Sequence, residues 1–251
     1  MNAYATANEV WIAGLVFARV GALLMVVPGI GETYVSVRIR LAFALILTFC
    51  LMPIAAPSLP PVPADVDGLA GYMVREIMIG LMIGALLRMY AAAMATCGEL
   101  VSLQTTLSFA QTANPTQAQP TASVSTFLSL IAVVLVFDTD LHRLFIAGMA
   151  HSYTLFPATK ALPLRDAGQL AAETVGKTFA LSLQLSAPVM VFSLVFNLAA
   201  GLIGRAMPQF QIFFAATPLS LLLGLSIFAL SLGSIGLVWT GAFQAFAGRF
   251  A

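Results

Sequence analysis

The chain has 251 residues, of which 60% are hydrophobic and 8% charged, where soluble domains carry roughly a quarter charged residues. So few charges cannot clothe a water-soluble globule, and most of the surface is expected to face lipid or other protein. The net charge of +1 comes with no basic stripe and no acidic tail, so nucleic acid is not an expected partner.

A bilayer core of about 30 Å takes about 20 apolar residues as helix, and helix is the expected form because an open sheet edge in lipid leaves backbone groups unpaired. Six apolar runs approach that length, at about 10–29, 39–56, 70–95, 124–146, 178–204 and 212–247. The expected fold is therefore all-α, of the integral-membrane type. The opening MNAYATANEV lacks the basic region of a cleaved signal peptide, so the first run is expected to stay in the mature protein. PSLPPVPADVDG (57–68) reads as a solvated linker. SLQTTLSFAQTANPTQAQPTAS, from Ser102, is polar but uncharged, and nothing from Leu100 to Phe137 carries a charge. Such a strip suits an enclosed wet channel, where a fixed charge would select among passengers, or a closure that packs shut and releases. An ordinary loop is the other reading. Residues 157–177 hold Lys160, Arg165, Asp166, Glu173 and Lys177 and predict a short amphipathic helix outside the apolar core. GRAMPQFQ (204–211) is a tight polar turn, so the last two runs form a helical hairpin; the final run is either one long helix or two pieces bent at its glycines.

The division expected is 1–156, a polar connector 157–177, and the hairpin 178–251. Loop charges do not orient the chain. With the N-terminus outside, Arg38, Arg40, Arg88 and Arg205 fall inside, against Arg143, Lys160, Arg165, Lys177 and Arg249 outside. That tie suits a protein positioned by partners as well as by lipid.

Two arginines fall inside apolar runs, Arg19 and Arg75, the latter beside Glu76. A charge at the bilayer centre costs at least ~2.5–3.5 kcal/mol, so partners are required. Glu9, Glu32 and Glu99 are the candidates for Arg19. The structural reading is an interhelical or intersubunit salt bridge; the functional one is a proton or ion path. On the third run, Met78, Met82 and Met89 share a face, with Gly80 and Gly84 opposite as a GxxxG pair. Gly14, Ala18 and Ala22 repeat that spacing on the first run. Cys50 and Cys97 read as buried small hydrophobes.

Three patterns invite chemistry without carrying it. AAETVGKT (171–178) has one glycine and no preceding strand, unlike a phosphate loop. Asp138, Asp140 and His142 in DTDLHR could hold a cation, yet they also end an apolar run, where a helix boundary needs polar groups. His151 stands alone, and there is no HExxH, CxxC or serine nucleophile elbow. No catalytic residue, metal or cofactor is expected, and the chain is not read as an enzyme. A secondary transporter coupling through Arg19, Arg75 and Glu76 would call for broken helices or repeat halves, and neither is visible.

CGELVSLQTTLSFAQTANP (97–115) resembles a hallmark of the FliR/SctT family of type III secretion export-gate proteins. Gly98, Glu99, Gln104, Leu107, Ser108, Phe109, Ala110 and Pro115 match it; Thr106 stands where the family often has Gly, and Asn114 where it often has Asp. NLAAGLIGRAMPQFQIF (197–213) is similar to a second hallmark at Asn197, Gly201, Arg205, Pro208 and Gln209. Residues 17–45 resemble the N-terminal signature at Arg19, Pro28, Gly31, Arg38 and Arg40. The resemblance covers about 9–247. It implies a FliP-like part joined to a FliQ-like hairpin, with helices held by sister subunits largely outside the usual bilayer plane. It implies a bacterial inner-membrane, multi-pass protein of the flagellar basal body. The partners implied are FliP-like, FliQ-like, FlhB-like and FlhA-like proteins, unfolded export substrates and membrane lipid. It also implies a pore plug over about 106–118, with Leu107, Ser108, Phe109, Ala110, Gln111, Thr112, Ala113, Asn114 and Pro115 at its centre. Arg19, Arg38, Arg40, Arg75, Glu76, Glu99, Gln104, Asn197, Arg205, Pro208 and Gln209 become structural or intersubunit polar residues. A virulence-type secretion homologue shares the architecture and is the alternative.

Overall fold

The computed structural model describes residues 7–107, 123–160, 164–207 and 212–250. Among these residues the regular elements are all helical, as expected: α1 (Ala7–Val26), α2 (Val37–Ala55), a 3₁₀ turn (Ala56–Ser58), α3 (Val66–Ala91), α4 (Ala93–Gln104), α5 (Ser123–Asp138), α6 (Leu141–Leu155), α7 (Leu164–Ala206) and α8 (Ile212–Ala247). Five stretches are long and apolar enough to cross a membrane, with α3 and α4 counted as one, and a sixth is added if α5 and α6 form one bent span.

Two expected runs take another form. The run at 124–146 is two helices meeting at 72°. Asp138, Thr139 and Asp140 place three polar residues in succession, and Asp140 takes a left-handed backbone with φ 58°, which its short polar side chain tolerates. The separate short helix expected within 157–177 does not stand apart either. α7 starts at Leu164 and runs unbroken for 43 residues. Between 164 and 178 only Gly168 and Gly176 weaken a helix, and a glycine costs about 1 kcal/mol without ending one. α8 likewise passes through its glycines as one element of 36 residues.

By internal contacts the chain falls into two compact units. One comprises Met1–Tyr90, Val136–Val175 and Gln244–Ala251, the other Ala91–Leu135 and Gly176–Phe243. In the first, α3 lies directly on α1. A Cβ added at Gly80 would fall against the backbone oxygen of Arg19 and within 3.0 Å of the Ala22 Cβ, and one at Gly84 would sit 3.1 Å from the Leu23 carbonyl. The GxxxG pair thus serves as the contact face, where bare backbones gain dispersion contacts that lipid cannot supply. Leu15, Val20, Leu23, Ile79 and Ile83 are buried on these two helices. The methionines lie on the other side: Met78 and Met89 are exposed and Met82 is half-buried. Tyr90 stacks on Phe246 at 4.4 Å. Gly148 admits the backbone of Phe250, whose carbonyl would lie 3.3 Å from an added Cβ. Of the two cysteines, Cys97 is buried but Cys50 is exposed, because it lies on the outward face of α2.

In the second unit, Gly98 of α4 presses against the backbone of Val124 and Ser125, and the Ser125 hydroxyl donates to the Ala95 carbonyl at 2.9 Å. Trp239 and Phe243 stack at 5.0 Å, both fully buried. Most of the hairpin is bare by contrast: only 11% of the apolar window of α7 and 17% of that of α8 is buried within the chain.

Gly80→Leu should lower stability by about 1–3 kcal/mol, the range for overpacking, since the added side chain meets backbone that cannot rotate away. Gly14→Leu, with nothing within 4 Å of its added Cβ, should cost far less. Denaturation in mild detergent, followed by helical circular dichroism, compares the two.

Candidate functional site

The first unit contains a buried ionic junction. Arg19, from the middle of α1, is 1% exposed, and Glu76 of α3 is 0% exposed. The Arg19 Nε donates to Glu76 Oε2 at 2.6 Å and Nη2 donates to Oε1 at 2.9 Å, a two-pronged fork. Nη1 donates to the Ser152 carbonyl at 2.8 Å and to its hydroxyl at 3.2 Å, and Nη2 also donates to the Phe156 carbonyl at 2.9 Å. Those five bonds match the five N–H groups of a guanidinium. The Tyr153 ring lies 4.1 Å below the charge. Ser152 and Phe156 sit at the C-terminal end of α6, where the helix dipole favours a cation; the Ser152 carbonyl also accepts from the Phe156 N–H at 2.9 Å, so Arg19 is its second donor. Arg19 thus ties α1, α3 and α6 together. Its partner is Glu76, and not Glu9, Glu32 or Glu99. This is the geometry of a structural clamp: every donor is committed.

In the second unit, the root of the uncharged strip is held in a bracket. Asn197 Nδ2 donates to the Ser193 hydroxyl at 3.2 Å, and that hydroxyl donates to the Gln104 carbonyl at 3.2 Å. The next residue, Thr105, is buried; its hydroxyl donates to the Val101 carbonyl at 2.8 Å. Its methyl group occupies the space beside Gly224, 2.7 Å from where a Cβ would stand. Thr106 then turns the chain with φ 60°. That is the left-handed region, where a β-branched residue is a genuine outlier, and it coincides with the position where a glycine is common in the resembling family. Thr106 also lines a cavity of about 270 Å³, together with Phe196, Asn197 and Gly201 of α7 and Thr217 and Ser220 of α8. Residues from both hallmark segments therefore meet at one place.

Residues 10–246 match the family described as bacterial export proteins, family 1. The chain is 53% identical over 244 residues to the flagellar biosynthetic protein FliR of Caulobacter vibrioides, covering 97% of each chain. It is 30% identical over 230 residues to FliR of Escherichia coli, covering 88% of this chain and 86% of that one. With FliR of Bacillus subtilis it shares 26% over 214 residues, covering 82% and 80%. The chain belongs to the FliR family of bacterial export proteins. It is accordingly a multi-pass protein of the bacterial inner membrane and a component of the flagellar export apparatus.

Of the polar residues singled out in the sequence, Arg19 and Glu76 meet in the clamp, and Gln104 and Asn197 meet through Ser193. Arg38 and Arg40 occupy the first turn of α2. Arg75 is half-buried, and its guanidinium reaches the Pro157 carbonyl at 3.4 Å. Glu99 is exposed on α4 and Arg205 on the last turn of α7. Leu107 is half-buried. Ser108, Phe109, Ala110, Gln111, Thr112, Ala113, Asn114 and Pro115 lie outside the described residues, as do Pro208 and Gln209. Asp140 is engaged by Arg143 at 3.1 Å, and among the described residues no group of three ligating side chains gathers for a metal. Ser152, Tyr153, Ser193 and Gly224 are additions from the structure. Ser193 had a signal in the sequence, four residues before Asn197 on one helix face; Ser152 and Gly224 had none.

Glu76→Gln should destabilise the protein by about 3–5 kcal/mol, because it leaves a buried guanidinium without its counter-charge. Arg19→Lys should lose a similar share, since an ammonium cannot reproduce the fork. Thermal unfolding in detergent reads both. Thr106→Gly should stabilise by about 1 kcal/mol by removing the left-handed penalty, seen as a raised unfolding midpoint.

Proposed function

We propose that the chain is a pore-forming subunit of the flagellar type III protein export gate, conducting unfolded flagellar proteins and helping to seal the closed pore, without enzymatic chemistry of its own. The observation that carries this reading is the length of bare apolar helix. At 1.5 Å per residue, the uncharged stretch of α7 between Lys177 and Arg205 is roughly 40 Å long and α8 roughly 54 Å, against a hydrocarbon core of about 30 Å. Their exposed side chains include Val191, Leu194, Leu198 and Leu202 on α7 and Leu222, Leu230 and Leu237 on α8. Lipid covers about 30 Å of each, and the apolar remainder needs cover that water does not give. Sister subunits can give it, and FliP-like and FliQ-like chains, with FlhB-like and FlhA-like proteins alongside, are the partners the family resemblance offers.

The uncharged strip supports the second half of the reading. Extended polypeptides of any composition slide past neutral side chains without being sorted by charge, and small polar residues pack closed without locking. Its root at Gln104–Thr106 is pinned by Ser193 and Asn197, which gives a plug over 106–118 a fixed anchorage. The energy for export comes on this reading from the proton motive force and a separate ATPase.

Deleting 108–115 should let small ions leak through assembled gates, detected as growth inhibition and loss of membrane potential in cells expressing the complete gate. A deletion mutant as tight as the wild type removes the plug. Failure of the full-length chain to co-purify with any sister subunit removes the gate reading as a whole.

A further inference from the structure

Three arginines gather at one end of the first unit. Arg40 Nη1 lies 3.9 Å from the Met25 sulfur at the end of α1. Arg88 Nη1 donates to the neighbouring Val26 carbonyl at 3.3 Å. Arg38 shares the first turn of α2 with Arg40. All ten Asp and Glu side chains lie among the described residues, and the one ion pair that any of these three makes is Arg88 with Glu32, at 3.4 Å. Arg38 and Arg40 have no carboxylate side chain within 4.0 Å. Cations in the first turn of a helix also oppose its dipole. An anion from outside the chain resolves each of these.

The helix carrying them identifies the anion. α2 has 19 residues, about 28 Å of helix, which matches the hydrocarbon core where α7 and α8 overrun it. Its outward face is apolar along that whole length, with Ile39, Ile46, Phe49 and Ile54 each at least 60% exposed. Seated in a bilayer, such a helix brings Arg38 and Arg40 to the depth of the phosphates. The exposed Tyr34 beside them has the amphipathic ring that favours the interface. Guanidinium forks fit phosphate oxygens two at a time.

We propose that Arg38 and Arg40, backed by Arg88, form a binding site for the headgroup of an anionic phospholipid, and that the outer face of α2 is the lipid-facing side of the first unit. This goes beyond the gate reading and does not rest on it. The surplus of positive charge selects anionic over zwitterionic lipid, as basic patches between membrane helices do.

The full-length chain, delipidated in detergent, is titrated with phosphatidylglycerol and with phosphatidylcholine, and bound lipid is counted by native mass spectrometry. A preference of about tenfold for phosphatidylglycerol is expected. It should fall to near parity in Arg38→Gln/Arg40→Gln and largely survive in Arg38→Lys/Arg40→Lys. Circular dichroism establishes that each variant is folded. Should the glutamine variant not fold, the wild type decides alone: no preference between the lipids overturns the proposal, and so does full displacement of lipid by millimolar inorganic phosphate, which makes the ligand a free anion. Undiminished preference in a folded glutamine variant overturns it too. Loss of the preference when sister subunits are co-purified overturns it in favour of an acidic side chain from a partner.

Discussion

A guanidinium keeps its charge at any pH a cell reaches, so a structure that withdraws one from water has to supply every acceptor. Arg19 is such a group, and the first unit is arranged around its needs. Glu76 provides two oxygens and the end of α6 provides three more. The approach of α3 is set by the same residue, since Gly80 rests against the Arg19 backbone oxygen. Gly80 and Glu76 are one turn apart on a single face. A side chain at 80 would hold α3 away, and the carboxylate at 76 would no longer reach its fork. Close packing and charge burial are therefore one requirement with two expressions.

The second constraint is cover for apolar surface. α2 has the length of a bilayer core and an outward face to match, whereas the apolar lengths of α7 and α8 exceed it. On the proposed reading, the same composition, 60% hydrophobic, is divided between lipid and protein neighbours. On that reading too, a chain held largely by protein neighbours does not depend on Lys and Arg to set its orientation, which accounts for the uninformative loop charges.

Much of this was legible beforehand, because the apolar runs and their polar breaks are local signals. The GxxxG face of α3 was visible as spacing and proved to be the contact with α1. The partner of Arg19 was not legible. Glu76 was grouped with its neighbour Arg75, yet adjacent helical residues point about 100° apart, and the two side chains leave in different directions, one to Arg19 and the other to Pro157. The polar triplet at 138–140 marked a helix boundary, but continuing hydrophobicity beyond it suggested one run, and only the left-handed Asp140 makes the turn explicit. At the strip's root, Thr106 and Asn197 were each visible as members of hallmark segments. Their meeting depends on how α4, α7 and α8 pack, which no local pattern encodes.

Thr106 carries one more implication. A glycine in the left-handed region passes to the right-handed one at little cost, so a strip rooted on glycine leaves α4 on a loose swivel. A β-branched side chain removes most of that freedom while charging the observed conformation a steric toll. The direction of the backbone at Thr106 is then dictated by one methyl and one hydroxyl, stiff though less comfortable at rest.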